Sequence, residues 1–163
     1  MILGDPYKFA IIIKTIKEWN LDEAFCNGIL LFCIDGSIFP KEICTATLKS
    51  EIGPLRENLE NIAVDTSLFY AEKGRAFKQI YNMIVPADFT LDNDYRFDIS
   101  PLSFADENCY TFAVSNGTQV RILAAKLAYN KELSRHELKN TDIKEAFISL
   151  EELSKIAKAL CLD

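Results

Sequence analysis

Six carboxylates are concentrated between residues 86 and 110, a segment that contains one basic side chain, Arg96. The acids are Asp88, Asp92, Asp94, Asp98, Asp106 and Glu107. This acidic segment has a net charge of -5, which is nearly all of the chain's formal charge of -6. Clustered carboxylates can hold a cation, act in pairs as general acid and base, or attract a basic partner.

The spacing of the acids argues against a calcium site. Asp92-Asn93-Asp94 resembles the start of a calcium-binding loop, but Arg96 follows where an oxygen ligand belongs. The glycine and the terminal glutamate of such a loop are absent. Pairs of carboxylates could still support hydrolysis, so a small hydrolase that uses Asp or Glu is one alternative.

Aromatic side chains are interleaved with these acids. Aromatic anchors inside a charged rim are typical of tight protein interfaces. Phe89 and Tyr95 are therefore candidate anchors, whereas Phe97 and Tyr110 lie on strand-like pieces and are expected in the core. Trp19 is also expected in the core. A solvated acidic loop without a partner is the alternative.

The other reactive residue types do not form a recognisable site. The cysteines contain no Cys-x-x-Cys pair, and the single His136 has no second histidine with which to bind zinc. We expect the cysteines to be mostly buried thiols, and His136 to be a surface or cap residue. Phosphate-loop, dinucleotide-binding and nucleophile-elbow motifs are absent, so the usual signals of an enzyme are missing.

Composition limits the class of protein. The chain has 163 residues, 49% hydrophobic and 26% charged, which predicts one globular domain spanning residues 1–163. It has no 18-residue apolar run and no secretion signal, so we expect a cytoplasmic protein that does not enter the membrane. An acidic chain is also poorly suited to nucleic acid, which requires clustered Lys and Arg.

The first half of the chain predicts strands followed by a helix. A strand is expected within residues 7–19, and Asp35-Gly36 is typical of a hairpin turn between residues 28–34 and 37–39. Pro40 limits the second strand. From residue 45 the apolar period becomes helical, and Gly53-Pro54 could kink this helix or restart it. Its apolar face is formed by Leu48, Ile52, Leu55, Leu59 and Ile62.

The second half predicts a helix, a hairpin, a strand and a closing helix. Residues 71–85 have helical spacing, and Pro86 ends that helix. Asn116-Gly117 is typical of a hairpin turn between residues 109–114 and 119–129. A strand from residue 141 leads to a capping box, Ser149 to Glu152. The closing helix would bury Leu150, Leu153, Ile156, Ala157 and Leu160. We predict an α+β fold, with an antiparallel sheet built from hairpins and helices packed mainly on one face.

Six short motifs are distributed along the chain. They are GDPYKFA at residues 4–10, KEWN at 17–20, NGIL at 27–30, FPKE at 39–42, FAVSNG at 112–117 and VRIL at 120–123. Together they resemble the immunity protein 42 family of bacterial polymorphic-toxin systems, and the similarity extends over most of the chain.

The resemblance implies a cytoplasmic antitoxin that is not an enzyme and has no cofactor and no catalytic residues. Its partner would be the toxic C-terminal domain of a secreted or contact-delivered effector. Many such toxins are nucleases with basic clefts, so we expect the acidic segment to occlude the toxin's active site. The toxin-binding candidates are Asp88, Phe89, Asp92, Asp94, Tyr95, Asp98, Asp106 and Glu107. A small hydrolase and a self-associating structural subunit are the alternatives.

Overall fold

The structure is a computed structural model that describes residues 1–21 and 25–161. Five strands form one antiparallel sheet in the order β1-β2-β3-β4, with β5 also paired to β3. They are β1 (Ile2–Gly4), β2 (Phe9–Thr15), β3 (Asn27–Ile34), β4 (Ser37–Phe39) and β5 (Ala46–Thr47). The predicted turn joins β3 to β4, with both Asp35 and Gly36 in the left-handed region (φ +49° and +71°). As predicted, the second strand of this hairpin ends before Pro40.

A second antiparallel sheet has three strands. It consists of β6 (Cys109–Ser115), β7 (Gln119–Lys126) and, beyond the short hairpin of β8 (Ala128–Asn130) and β9 (Arg135–Glu137), strand β10 (Lys144–Ser149). The order is β10-β7-β6, so β7 is central. The predicted hairpin joins β6 to β7, and Gly117 has the positive φ (+98°) that its turn requires. The separate β8–β9 hairpin was not predicted from the sequence.

The α-helices are α1 (Leu48–Glu60), α2 (Thr66–Tyr70), α3 (Lys73–Ile84) and α4 (Leu150–Ala159). Helix α1 continues through Gly53-Pro54 without a restart. The predicted capping box starts α4, because the Ser149 hydroxyl accepts from the Glu152 N–H (3.1 Å) and the Glu152 carboxylate accepts from the Ser149 N–H (3.0 Å). Within the described residues, the helices are too short or too polar to cross a membrane.

Two hydrophobic clusters lie on opposite faces of the three-stranded sheet. Val120, Ile122 and Ala124 of β7 join the first cluster, with α1, α4 and the five-stranded sheet. Leu123 and Ala125 join the second cluster, with α2 and α3. The predicted α+β class, built from antiparallel hairpins, is confirmed. The helices divide between two faces because the nearly continuous apolar sequence of β7 is buried on both sides.

A buried arginine connects the three-stranded sheet to α2. The Arg121 side chain is 4% exposed and binds the Glu145 carboxylate through Nε (2.9 Å) and Nη2 (2.7 Å). Its Nη1 donates to the carbonyls of Leu68 (3.3 Å), Phe69 (3.0 Å) and Ala71 (2.6 Å). These carbonyls end α2, so one side chain satisfies acceptors that the helix leaves free.

Two predictions about the core are wrong. Trp19 is 40% exposed, because β2 ends at Thr15 and the chain turns into a short 3-10 helix over residues 17–19 that buries no side chain. Leu150 is also exposed, because it is the first residue of α4, whereas Leu153, Ile156, Ala157 and Leu160 are buried as predicted. The expectation that the cysteines are mostly buried is also wrong, because Cys33 and Cys109 are buried but Cys26 and Cys44 are half-buried and Cys161 is exposed.

Candidate protein-binding surface

The acidic segment connects α3 to β6. Residues 86–95 form a loop at the C-terminal end of α3, where the Asp94 N–H donates to the carbonyl of Met83 (2.8 Å). The chain then runs beside β6, and the Ala113 N–H donates to the carbonyl of Phe97 (2.9 Å). A 3-10 helix over residues 102–107 leads back into β6. The segment is therefore fixed at both ends to the three-stranded sheet and α3.

The loop and the 3-10 helix lie at the same end of the three-stranded sheet. Tyr81, near the end of α3, contacts Tyr110, near the start of β6, with 5.2 Å between ring centroids. Lys126 ends β7 opposite Cys109 and binds the Glu107 carboxylate at 3.2 Å. The end at which β6 begins and β7 ends therefore carries both groups of predicted acids, those of the loop and those of the 3-10 helix.

Three of the six acids are exposed and have no cationic partner in the part of the chain that the structure describes. Asp88 accepts from the backbone N–H (2.9 Å) and the hydroxyl (2.7 Å) of Thr90, and these hydrogen bonds lower the pKa of Asp88. Asp92 and Asp106 have no hydrogen bond or ion pair with described residues. These three carboxylates are therefore available to bind a positively charged partner.

Two further acids are already paired. Asp94 binds Arg96 through Nε (2.8 Å) and Nη2 (2.7 Å), and this interaction lowers the pKa of Asp94. Glu107 shares Lys126 with Glu42, whose carboxylate is 2.8 Å from the Lys126 Nζ. Because cations inside the protein partly neutralise Asp94 and Glu107, they contribute less than the exposed acids to the field outside it.

Asp98 has a different environment from the other candidates. Burial raises the pKa of Asp98, in opposition to the hydrogen bond that its carboxylate accepts from the Ser100 N–H (2.9 Å). Its backbone also forms a bridge to Phe112 on β6. Asp98 therefore fixes the turn that returns the chain to the sheet. Of the six acids, it is the least available for the charged rim of a protein interface.

The aromatic side chains divide as the sequence predicted. Phe89 is 99% exposed and Tyr95 is also exposed, whereas Phe97 is buried and Tyr110 packs against the second hydrophobic cluster. Leu91, which sequence reasoning missed, is exposed between the two candidate anchors. The exposure of Leu91 could have been predicted from its neighbours in the sequence. An apolar residue between Asp88 and Asp92 in a loop has no strand or helix to bury it.

His136 is neither a surface nor a cap residue, so that expectation is wrong. Strand β9 holds the ring half-buried, with Nδ1 2.8 Å from the Tyr81 hydroxyl and Nε2 2.8 Å from Asn108 Oδ1. The rings of Tyr110 and Tyr129 lie 5.4 and 5.2 Å away. Burial lowers the pKa of His136. The ring therefore fastens the β8–β9 hairpin to α3 and to the start of β6.

Neither of the two best-defined cavities resembles a hydrolytic site. The larger, of about 430 Å³, lies between β1 and α4 and includes Asp5 and Glu152. Both carboxylates are occupied, Asp5 by the Tyr7 N–H and Glu152 by Ser149. The smaller, of about 220 Å³, lies beside Trp19, and the described residues that line it include no acid. Across residues 1–21 and 25–161, no three His, Cys, Asp or Glu side chains are grouped to hold a metal ion.

Comparison with known proteins agrees with this architecture. The fold is similar to that in the crystal structure of CdiI from Burkholderia dolosa AUO158, with a TM-score of 0.77 and 21% sequence identity over 97% of this chain and 96% of that chain. No curated protein sequence matches this chain significantly. The model of the family Immunity protein 42 matches residues 1–161. The chain belongs to the immunity protein 42 family.

Proposed function

We propose that this chain is an antitoxin that binds and neutralises the toxic C-terminal domain of a bacterial effector. Membership of the immunity protein 42 family is the observation that carries the proposal. The similarity of fold to CdiI from Burkholderia dolosa AUO158 supports it over nearly the whole chain. The chain acts as a single domain in the cytoplasm of the producing cell, where it meets the toxin before or after delivery.

The proposed contact surface is the acidic segment, centred on the loop of residues 86–95. Phe89 and Leu91 are the large exposed apolar side chains at its centre, with Tyr95 beside them. Asp88 and Asp92 flank the two apolar side chains as unpaired carboxylates. Aromatic anchors with charged neighbours account for most of the binding free energy in interfaces of this kind.

The charge of this surface defines the partner. An excess of carboxylates accelerates encounter with a surface rich in Lys and Arg and disfavours acidic proteins. A nuclease presents such a basic surface in its substrate cleft, because the cleft must attract phosphates. Phe89 would enter that cleft while the carboxylates replace the phosphates, so inhibition is by occlusion of the active site. Asp106 and Glu107 extend the acidic surface towards β6, and Asp94 and Asp98 hold its backbone in place.

The proposed mechanism is binding and not catalysis. Among the described residues, neither cavity is lined by a pair of free carboxylates, and the exposed Asp88 and Asp92 flank Phe89 and Leu91 instead of lining a pocket. A hydrolase needs a concave site that surrounds its substrate, with acid and base facing each other. Projecting side chains are instead suited to entering another protein's pocket.

We expect an open reading frame with a toxin domain beside this gene, and co-expression with that domain tests the proposal. We expect growth to be restored and the two chains to purify as a stoichiometric complex. If growth arrest continues while this chain is present and folded, the chain is not the antitoxin for that toxin. Turnover of a substrate by the isolated chain would instead favour the hydrolase.

Two matched pairs of variants test the surface. Phe89→Ala should weaken binding by about 2 kcal/mol or more, which is about thirtyfold, as for a central aromatic anchor. Tyr7→Ala, which removes an exposed ring in the turn between β1 and β2, should leave the affinity unchanged. Asp92→Lys should slow association at low salt, whereas Glu57→Lys, on the exposed side of α1, should not. If the two variants of either pair have equal effects on binding, the loop is not part of the interface.

A further inference from the structure

The five-stranded sheet has one face that no described helix covers. Strand alternation places Ile12 of β2 and Leu31 of β3 on this side, in register with each other, and Ile2 of β1 is in register with Ile12. Ile29 and Ile38 belong to the same side, which we call the outer face. None of these five side chains belongs to, or packs against, either hydrophobic cluster.

The composition of the outer face is unusual for a solvated sheet. Antiparallel sheets that face water normally carry polar residues on that side. Here Ile2 and Ile38 are exposed, and Ile12, Ile29 and Leu31 are half-buried by their neighbours. The next row of the face carries two small side chains, Ala10 and Cys33, which lie opposite each other and are already buried (0% and 5% exposed), so the exposed part of the face is formed by the five aliphatic side chains.

We infer that the outer face is a self-association surface on which a second copy of this chain packs. Interfaces between identical copies resemble a protein core cut in half and are more apolar than interfaces with transient partners. The five aliphatic side chains of the outer face have that character. The loop of residues 86–95 differs from it, because its rings and carboxylates are the residue types favoured in contacts with a different, charged protein.

Charge at the two ends of the outer face fits a two-fold arrangement. Lys14 is exposed at one end and makes no ion pair with a described residue. Asp35 is exposed in the turn at the other end, where its N–H donates to the Lys8 carbonyl (3.0 Å). Six residue steps separate the two ends, or about 20 Å. A two-fold axis that lies across the strands places Lys14 of each copy near Asp35 of the other.

The area of the outer face limits the expected affinity of the dimer. Strands β1 to β4 contain 21 residues, which at about 3.3 Å per residue and about 4.8 Å between strands give roughly 330 Å² per copy, or about 660 Å² in the pair. Specific interfaces usually exceed about 1,000 Å² in total, and weak ones are smaller. The expected dimer is therefore weak and forms only at high protein concentration.

Sedimentation velocity of the full chain over about 1 to 200 µM tests this inference. The wild type should change from monomer to dimer across that range. Ile38→Glu should weaken the dimer at least tenfold, because it introduces a charge on the outer face at a position that is 43% exposed. The matched control is Ile43→Glu, which alters an isoleucine that is 67% exposed outside the outer face and should leave the dimer unchanged.

A charge exchange provides an independent readout. Lys14→Glu and Asp35→Lys should each weaken the dimer several-fold, and the double variant should restore it. A wild type that stays monomeric throughout the range would overturn the inference, as would a dimer that tolerates both Ile38→Glu and Lys14→Glu. If the chain is monomeric but Ile38→Glu reduces toxin binding, the outer face belongs to the toxin instead, and the inference is also overturned.

Discussion

Replacement of Arg121 by alanine should destabilise the protein more than any other single loss of charge in the described residues. The variant would leave the carbonyls of Leu68, Phe69 and Ala71 without their shared donor. It would also leave the Glu145 carboxylate without its cation. The guanidinium further lies over the ring of Phe147, 5.8 Å from its centroid.

The size of the effect follows from this burial. Removal of one partner from a buried ion pair typically costs about 3–5 kcal/mol in the free energy of unfolding. The Glu145 side chain is 31% exposed, so water can partly solvate the carboxylate that remains. We therefore expect about 3 kcal/mol. For a domain of this length, that corresponds to a fall of roughly 6–12 °C in the melting temperature.

Urea unfolding at neutral pH, followed by circular dichroism, measures this difference. Arg96→Ala is the matched control, because Arg96 also binds one carboxylate through two nitrogens but is 62% exposed. An exposed pair contributes at most about 1 kcal/mol. If the two alanine variants lose the same free energy of unfolding, burial is not what makes Arg121 important and the reasoning fails.

Three further predictions concern buried groups. Thr111→Val should raise the free energy of unfolding by about 1 kcal/mol in urea titrations, because the buried Thr111 hydroxyl has no hydrogen-bond partner among the described atoms; a loss of stability would contradict this. Burial lowers the pKa of His136 in the folded protein below its unfolded value of about 6.5. The neutral ring therefore contributes fully to the free energy of unfolding above that pH, and this contribution is lost as the pH falls through the folded-state pKa. His136→Gln should flatten the pH profile of stability in that acidic range, and an unchanged profile would show that His136 does not titrate with folding. Burial raises the pKa of the Cys109 thiol to about 11, so a thiol reagent should label the exposed Cys161 first and Cys109 only after unfolding; rapid labelling of Cys109 in the native protein would contradict its position.

Local signals in the sequence predicted the turns and caps correctly. Asp35-Gly36 and Asn116-Gly117 form the two hairpin turns, because these residue pairs accept the left-handed backbone that tight turns need. Ser149 and Glu152 satisfy each other's backbone donors, as the capping box requires. Each of these features depends on residues at most three positions apart, so the sequence alone contains the necessary information.

The features that sequence reasoning missed depend on contacts between distant parts of the chain. Arg121 looks like an exposed strand residue until α2, some 50 residues earlier, places its carbonyls against it. His136 looks like a surface residue until β9 packs against Tyr81, and its nearest hydrogen-bond partners lie 55 and 28 residues away. Trp19 was wrong in the opposite direction. Its large apolar side chain suggests a core residue, but the short 3-10 helix that contains it does not pack into the core.

The candidate surface was predicted in composition but not in detail. The density of carboxylates and the exposed Phe89 could be read from the sequence. The pairing of Asp94 with Arg96 could also be anticipated, since they are two residues apart. By contrast, the sharing of Lys126 between Glu42 and Glu107 and the burial of Asp98 depend on how the sheet, the loop and the 3-10 helix meet.

Titration of the purified chain into the toxin domain encoded beside its gene, by isothermal calorimetry with an inactive toxin, tests the central claim most directly. We predict a tight one-to-one complex for the wild type and a loss of about thirtyfold in affinity for Phe89→Ala. An absence of binding heat and of any complex, with both partners folded, would contradict the claim that this protein neutralises that toxin by binding to it.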